Sequence, residues 1–357
     1  MTQVTAPLVS LCVPTRNRAR SLRQSLKSIC GQDYSSIEIL ISDNCSEDDT
    51  EQVCREWMAR DSRIRYVRHD RNIGLHGNHN FCFDEARGAF ICICHDHDTR
   101  DAHIVSEYVS FLTQHPRVGI VCSDWDLIDD DDRRIGVRNY RVKTITAGLD
   151  YIGQTMRSGR SSISIPGAMV RRAALGAARF EPEAPIGFGD FPIWFQVAET
   201  WDVGHIAKRL WSWRQNRESL SARAIESIAH DYDLNLSGYC DEHLTRWPKH
   251  GALVARWRGS IRHYLFWALA YEVALHFRNR SATRSHEHTR SLFEIMDYEL
   301  TPEQFRRALS QMRAYRTGVL EHLAFAGLTT SIAMRLTRPL GWISRYQAAL
   351  RTVLGLE

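Results

Sequence analysis

The chain has 357 residues, 43% of them apolar and 25% charged, with 46 Lys and Arg against 42 Asp and Glu. That length accommodates two or three domains, and the apolar content sustains a packed core, which excludes a disordered, collagenous or small disulfide-stapled chain. The net charge of +4 is uneven: residues 249–357 hold 16 basic and 8 acidic side chains, leaving 30 basic against 34 acidic before them.

Strand and helix signals alternate through the first half. Leu8–Val13 is an apolar run ended by Pro14, and Arg20–Cys30 has helical spacing with Leu22, Leu26 and Ile29 on one face. Ile37–Ser42 is a second run. Glu47–Arg60 reads as a helix with Ser46 as N-cap. Ile64–Arg68 is a third strand, Asn78–Arg87 a short helix ended by Gly88, and Ala89–Cys94 a fourth strand. Ile104–His115 is helical and Val118–Ser123 a fifth strand. This βαβαβαβαβ order predicts a mainly parallel, Rossmann-like α/β sheet with helices on both faces. Ligands in such sheets bind beyond the carboxyl ends of the strands. Pro14–Arg18, Asp43-Asn44 and Asp96–Asp98 follow the apolar runs and are where chemistry is sought. From about Ile225 the pattern turns helical, with amphipathic stretches at Trp257–Phe277, Phe305–Leu336 and Trp342–Leu354. The expected division is 1–225 and 226–357.

Nine cysteines, several within apolar runs (Cys12, Cys92, Cys94, Cys122), read as small core residues of a reduced compartment. Met1–Pro7 lacks the apolar core of a signal peptide, and no run reaches 18 apolar residues. The expectation is a cytoplasmic protein, soluble or peripheral on the inner face of the membrane. Of ten tryptophans, seven lie at or after Trp201, and most read as core.

The strongest local chemistry is Asp96-His97-Asp98. Two carboxylates at i and i+2 just past a buried strand invite a hard divalent cation, Mg²⁺ or Mn²⁺, shared with phosphate oxygens. His95 and His97 raise zinc as a lesser alternative, because adjacent His and Asp rarely chelate together. A solvated turn is the bland reading.

Val9–Arg18 (VSLCVPTRNR), Ile39–Asp49 (ILISDNCSEDD), Asn72-Ile73-Gly74 and Gly88–Asp98 (GAFICICHDHD) together resemble a family 2 glycosyltransferase of the GT-A fold. The resemblance spans about residues 8–125 and continues more weakly to Ser221. It implies that Pro14, Thr15, Arg16 and Asp43 hold the nucleotide, with Asp96 near ribose and metal. Asp98 would coordinate the metal that bridges the donor diphosphate. Asn80 would stand near the donor. The family often has Arg just before it, where this chain has His79, so donor contacts there are in doubt; a surface histidine is the alternative.

Asp190, in Gly187-Phe188-Gly189-Asp190-Phe191, reads either as a general base in an aromatic setting or as the N-cap of the helix Pro192–Glu199. Many family members carry a Glu-Asp pair here whose Asp deprotonates the acceptor hydroxyl. Gly189 replaces that Glu and Asp190 remains. In Trp211–Ser221 the family often has a metal- or diphosphate-binding His. Asn216 stands near that position, and Arg214 or Arg217 could instead meet the pyrophosphate. Asp129-Asp130-Asp131-Asp132 reads as a hairpin turn, and Ser164–Arg172 as a strand on the acceptor side.

The resemblance thus implies an inverting, metal-dependent transfer from a UDP-, GDP- or dTDP-sugar to a glycan or lipid-linked acceptor. The expected setting is cell-surface polysaccharide or glycolipid synthesis. The alternatives are a catalytically inactive sugar-nucleotide or glycan-binding protein and a sugar nucleotidyltransferase. The latter usually has a Gly-rich loop after the first strand, and Pro14–Arg18 contains no glycine. Nucleic acid is not an expected partner. The basic helical region reads as a membrane-surface element, a homo-oligomer contact or a lid over the acceptor.

Overall fold

The computed structural model describes residues 6–158, 161–182, 189–214 and 228–261, with side chains from 236 onward in the last stretch. In chain order the elements are β1 (Val9–Thr15), α1 (Ala19–Cys30), β2 (Ile37–Asp43), α2 (Thr50–Met58), β3 (Ile64–Arg68), α3 (Gly74–Glu85), β4 (Phe90–Ile93), β5 (Thr99–Arg100), α4 (Ile104–Gln114), β6 (Val118–Ile128), β7 (Arg134–Arg138), β8 (Ile145–Thr146), α5 (Gly148–Ser158), β9 (Ala168–Arg171), α6 (Arg172–Leu175), α7 (Phe191–Ala198), β10 (Asp202–Arg214) and α8 (Ile228–Arg246). A further helix runs over 251–261.

The sheet order is β3-β2-β1-β4-β9-β6-β10-β5, with β7 beside β6 and β8 beside β10. β3, β2, β1 and β4 are parallel neighbours. β1 is buried along its whole length, as a central parallel strand covered on both faces must be. Leu22, Leu26 and Ile29 of α1 and Ile104, Val105, Tyr108 and Leu112 of α4 complete the same core. From β1 the chain moves outward to β2 and β3, then returns to β4 on the other side of β1. That reversal opens a crevice between the carboxyl ends of β1 and β4.

Four local expectations are corrected. The expectation of a mainly parallel sheet fails locally at β9, which lies antiparallel between β4 and β6, brought there from about fifty residues away. Ser164–Arg172 is therefore a strand only from Ala168, preceded by a 3₁₀ turn at Ile165–Gly167. Ser46 does not cap α2, which starts at Thr50 after Asp49; its hydroxyl instead accepts the Asn17 backbone N–H at 2.9 Å. Gly88 does not end α3 by a left-handed turn. The helix closes at Ala86 in extended backbone, and a Cβ on Gly88 would lie 2.6–2.8 Å from Ser10 N, Leu8 O and Phe90 O. Glycine is required there because β1 passes against it.

The turn after β6 at Asp129–Arg133 joins the antiparallel pair β6–β7, as the acidic run suggested. α8 rests on α7: the Phe195 and Tyr239 rings are 5.1 Å apart. Glu199 accepts from Tyr239 Oη (2.9 Å), Arg246 Nη2 (2.7 Å) and Trp247 Nε1 (2.8 Å), with His243 Nδ1 at 2.9 Å. The expected division near 225 and the stretches Phe305–Leu336 and Trp342–Leu354 lie outside the described residues, as does most of Trp257–Phe277.

Candidate active site

Three loops meet at the crevice, after β1, β2 and β4. Asn17 and Cys45 both adopt left-handed backbone (φ 53° and 60°), which turns the first two loops sharply. Asn44 N–H donates to Thr15 O and Glu47 N–H to Asn17 Oδ1, fastening the loops to each other. Asn44 also receives the Ile73 N–H at 2.7 Å and donates to Asn72 Oδ1 and Gly74 O. This explains the Asn72-Ile73-Gly74 motif: Gly74 supplies the positive φ of 80° that opens α3.

Asp96 lies at the centre of this crevice. Its Oδ2 accepts from Thr15 Oγ1 at 2.7 Å, and its Oδ1 lies 3.0 Å from His97 Nδ1. Burial works to raise the Asp96 carboxyl. The His97 bond and charge, the Thr15 hydroxyl and the Arg18 charge outweigh it and hold the group below the usual carboxylate value. For His97, burial works to lower the imidazole pKa, and Asp96 and Asp98 outweigh that and raise it. Arg18, at the N-terminus of α1, was not singled out from sequence. Its signal is its place at a strand-to-helix junction on the crevice.

Asp98 is 4% exposed. Its Oδ1 accepts the Arg214 backbone N–H at 2.9 Å, while its buried Oδ2 has no hydrogen-bond partner among the described residues. His95 Nδ1 stands 3.5 Å from that Oδ2, and His97 Nε2 lies 3.8 Å from Oδ1. His95, His97 and Asp98 offer ligand atoms within 4.8 Å of one another. An orphaned carboxylate oxygen facing the His95 imidazole nitrogen fits a cation. Asn216, the other expected ligand, lies outside the described residues, as does Arg217.

Several expected donor contacts are engaged elsewhere. Asp43 is wholly buried: Oδ1 accepts Ser46 N–H at 2.9 Å and Oδ2 accepts Tyr66 Oη at 2.8 Å. Asn80 exchanges two 2.8 Å bonds with the Phe180 backbone and ties α3 to that segment. Arg214, 2% exposed, donates to His97 O (2.8 Å), to Asp129 O (2.5 Å) and to Asp132 Oδ1. It clamps the Asp96–Asp98 turn to the β6–β7 turn. Pro14 and Thr15 are buried at the end of β1, and Arg16 is exposed. His79 is no surface histidine. It is 3% exposed, and burial and then the nearby His95 push its pKa down to about 3.

Asp190 occupies the N-cap position of α7, yet its side chain makes no capping bond. Burial pushes its carboxyl up to about 6, with its own backbone N–H and then the Trp194 indole N–H offsetting a little of that rise. The turn after β4 thus presents an orphaned carboxylate oxygen, and Asp190 at the head of α7 is a carboxyl whose pKa burial raises.

A mixed α/β sheet with this switch point and an acidic turn after β4 defines a GT-A nucleotide-sugar fold. Residues 10–176, a little under half of the chain, match the model of Glycosyl transferase family 2. GalNAc(5)-diNAcBac-PP-undecaprenol beta-1,3-glucosyltransferase of Campylobacter jejuni is 36% identical over 114 residues, 32% of this chain and 36% of that protein. Uncharacterized protein y4gI of Sinorhizobium fredii is 27% identical over 225 residues, 60% of this chain and 23% of that protein. The chain thus spans well under half of either relative. Among solved structures, S. aureus TarS 1-349 in complex with UDP-GlcNAc aligns with a TM-score of 0.53 at 14% identity, covering 83% of this chain and 93% of that one. Mannosyltransferase PcManGT from Pyrobaculum calidifontis, in complex with GDP-Man and Mn2+, gives 0.53 at 16% identity, covering 90% and 87%. At such identities the likeness establishes the fold.

Proposed function

We propose that the chain is an inverting glycosyltransferase that moves a sugar from a nucleoside-diphosphate donor to a hydroxyl of a glycan or lipid-linked acceptor. The observation that carries this reading is the buried, unpartnered Asp98 Oδ2 at the switch point, facing His95. A divalent cation such as Mn²⁺ or Mg²⁺ held by Asp98 would supply Lewis-acid neutralisation of the diphosphate. Thr15, Asp96 and Arg18 border the donor side. Asp190 takes the proton from the acceptor hydroxyl. The freed oxygen forms a bond to the anomeric carbon as the bond to the diphosphate oxygen breaks, and the electron pair leaves with the nucleoside diphosphate. One displacement inverts the configuration. A base whose pKa lies near 6 is matched to that task near neutral pH.

The nucleotide donor is supported by solved neighbours bound to UDP-GlcNAc and GDP-Man, and the acceptor by a relative named for a PP-undecaprenol-linked glycan. The excess of Arg over acid in residues 249–357 suits an anionic bilayer where such an acceptor is presented. No helix among the described residues is long and apolar enough to cross a membrane.

The test is a screen of UDP-, GDP- and dTDP-sugars with Mn²⁺ or Mg²⁺, following nucleoside diphosphate release and the anomeric proton of the product. Release from none of them, with or without lipid-linked acceptor, overturns the enzymatic reading; retained anomeric configuration overturns inversion. Flotation of the full chain should show binding to phosphatidylglycerol-containing vesicles that weakens with salt. Equal binding to neutral vesicles removes the membrane assignment.

A further inference from the structure

Glu199, at the C-terminal end of α7, begins a line of hydrogen bonds that runs outward through two histidines. Its Oε1 lies 2.9 Å from His243 Nδ1, and His243 Nε2 lies 3.0 Å from Nδ1 of His250, in the 3₁₀ turn Pro248–His250 that follows α8. The His243 side chain is wholly buried, and His250 is partly exposed. The two ring centres are 5.2 Å apart, with 26° between the planes. That is close to the greatest separation that imidazoles joined through nitrogens 3.0 Å apart can have, so the two nitrogens point at each other in line. An ion needs about 2 Å to each nitrogen and finds no place between them. A single hydrogen does. Trp247, whose indole N–H donates to Glu199 Oε2 at 2.8 Å, lies parallel to the His250 ring at 5.6 Å and fixes it from one side.

The tautomers follow from Glu199. It accepts from Tyr239, Arg246 and Trp247 as an ionised carboxylate, so His243 Nδ1 must carry a proton. Neutral His243 can then only accept at Nε2, and His250 Nδ1 donates to it. A first added proton is accommodated: one hydrogen still lies between the two nitrogens whichever ring is charged, and the bond becomes charge-assisted. A second proton leaves an N–H on each side of the gap, two donors without an acceptor between two cations. We propose that His243 and His250 form a proton-counting latch, in which the turn stays fastened to Glu199 through the first added proton and is released by the second.

The surrounding charges leave this pair to decide. From α7 the group facing His243 is Glu199, and from α8 Tyr239 and Arg246, the latter also 3.4 Å from Glu242. From the helix over 251–261 it is the Trp257 indole at 4.7 Å, while Arg258 turns to Asp241. Burial lowers the His243 pKa; Glu199 works against it, and His250 and then Arg246 add to the fall. The unfolded chain protonates both rings as pH falls through 6.5, and the folded pair resists the second proton, so the latch weakens below that pH. Glu199 gives up its own contribution only below 4.5.

The experiment uses the full-length protein and has two readouts, neither of which depends on turnover of any donor. Long-range proton–nitrogen spectra of protein labelled with ¹⁵N-histidine report the tautomers. Above neutral pH both His243 and His250 should carry their proton on Nδ1; a His243 ring protonated on Nε2 alone overturns the inference. Hydrogen exchange read by mass spectrometry, corrected for its intrinsic pH dependence, reports release. Residues 243–261 should lose protection by about tenfold or more between pH 6.5 and 4.5, while peptides of β1–β4 keep theirs. Unchanged protection of 243–261 through that interval overturns the latch. In His250→Asn the side-chain carbonyl accepts from His243 even when His243 is charged, so release should move below pH 4.5, where Glu199 takes its proton. Release of this variant at the native pH places the deciding proton elsewhere and also overturns the inference.

Discussion

Asp190 shows how a single residue's environment sets its chemistry. Burial holds its carboxyl near 6 instead of the ordinary 3.8, so the group is largely ionised only above that pH, as the proposed role of base requires. We expect kcat/KM to rise with unit slope through about pH 6. Asp190→Asn should cost on the order of 10²–10⁴-fold in turnover while donor binding, measured by calorimetry, is retained. The stability sign runs the other way. The folded carboxyl holds its proton more tightly than the unfolded one, so its contribution favours folding at low pH. That contribution is lost as pH rises through about 6. Asp190→Asn should therefore melt higher than the native protein above pH 6, and a lower melting temperature there would contradict the burial argument. The positions of Asp98 after a buried strand and of Asp190 at the head of a helix were legible in the sequence because both are local signals. The hydrogen-bond partners of Asn80 and Arg214 were not legible, because they are remote: Phe180 lies 100 residues from Asn80, and Asp129 lies 85 from Arg214.

Elements formed largely where periodicity placed them, and their ends moved where tertiary partners intervened. α4 begins at Ile104 as its apolar spacing indicates. α2 starts later than expected because Ser46 is drawn to Asn17, and α3 starts four residues earlier because Asn44 anchors the segment ahead of it. Gly88 tests the packing directly. Its missing Cβ leaves room for three backbone atoms of β1, β4 and the residue preceding β1. Gly88→Ala should destabilise the fold by about 1–3 kcal/mol, read as a lower denaturation midpoint at unchanged slope. Gly77→Ala is the control: its nearest neighbours are Ile73 side-chain atoms at 3.5 Å, and on α3 alanine should be neutral or slightly stabilising.

For the molecule as a whole, the junction between the sheet and the helical region depends on Glu199. Its side chain is 5% exposed and gathers Tyr239, His243, Arg246 and Trp247. Burial works to raise its carboxyl, and Arg246, His243 and Trp247 outweigh that and hold it below the usual 4.5. The stabilisation is therefore present above about 4.5 and lost as pH falls through the lowered folded value. Glu199→Ala should cost about 3 kcal/mol at neutral pH, since removing one partner strands the others. Its melting temperature should converge with that of the native chain in acid; a difference that persists at low pH would place the effect in packing instead.

The alternation of apolar runs with amphipathic segments determined the sheet class, because burial on both faces requires continuous apolar strands. It also placed the candidate residues at the ends of those strands. Sequence order could not determine that β9 separates β4 from β6, since nothing in a local pattern encodes which distant strand pairs with which. Nor could it determine the ligand geometry at Asp96-His97-Asp98. Spacing i and i+2 presents two carboxylates as equals. The tertiary structure makes them unequal, tying both oxygens of Asp96 to Thr15 and His97 while leaving one oxygen of Asp98 free beside His95.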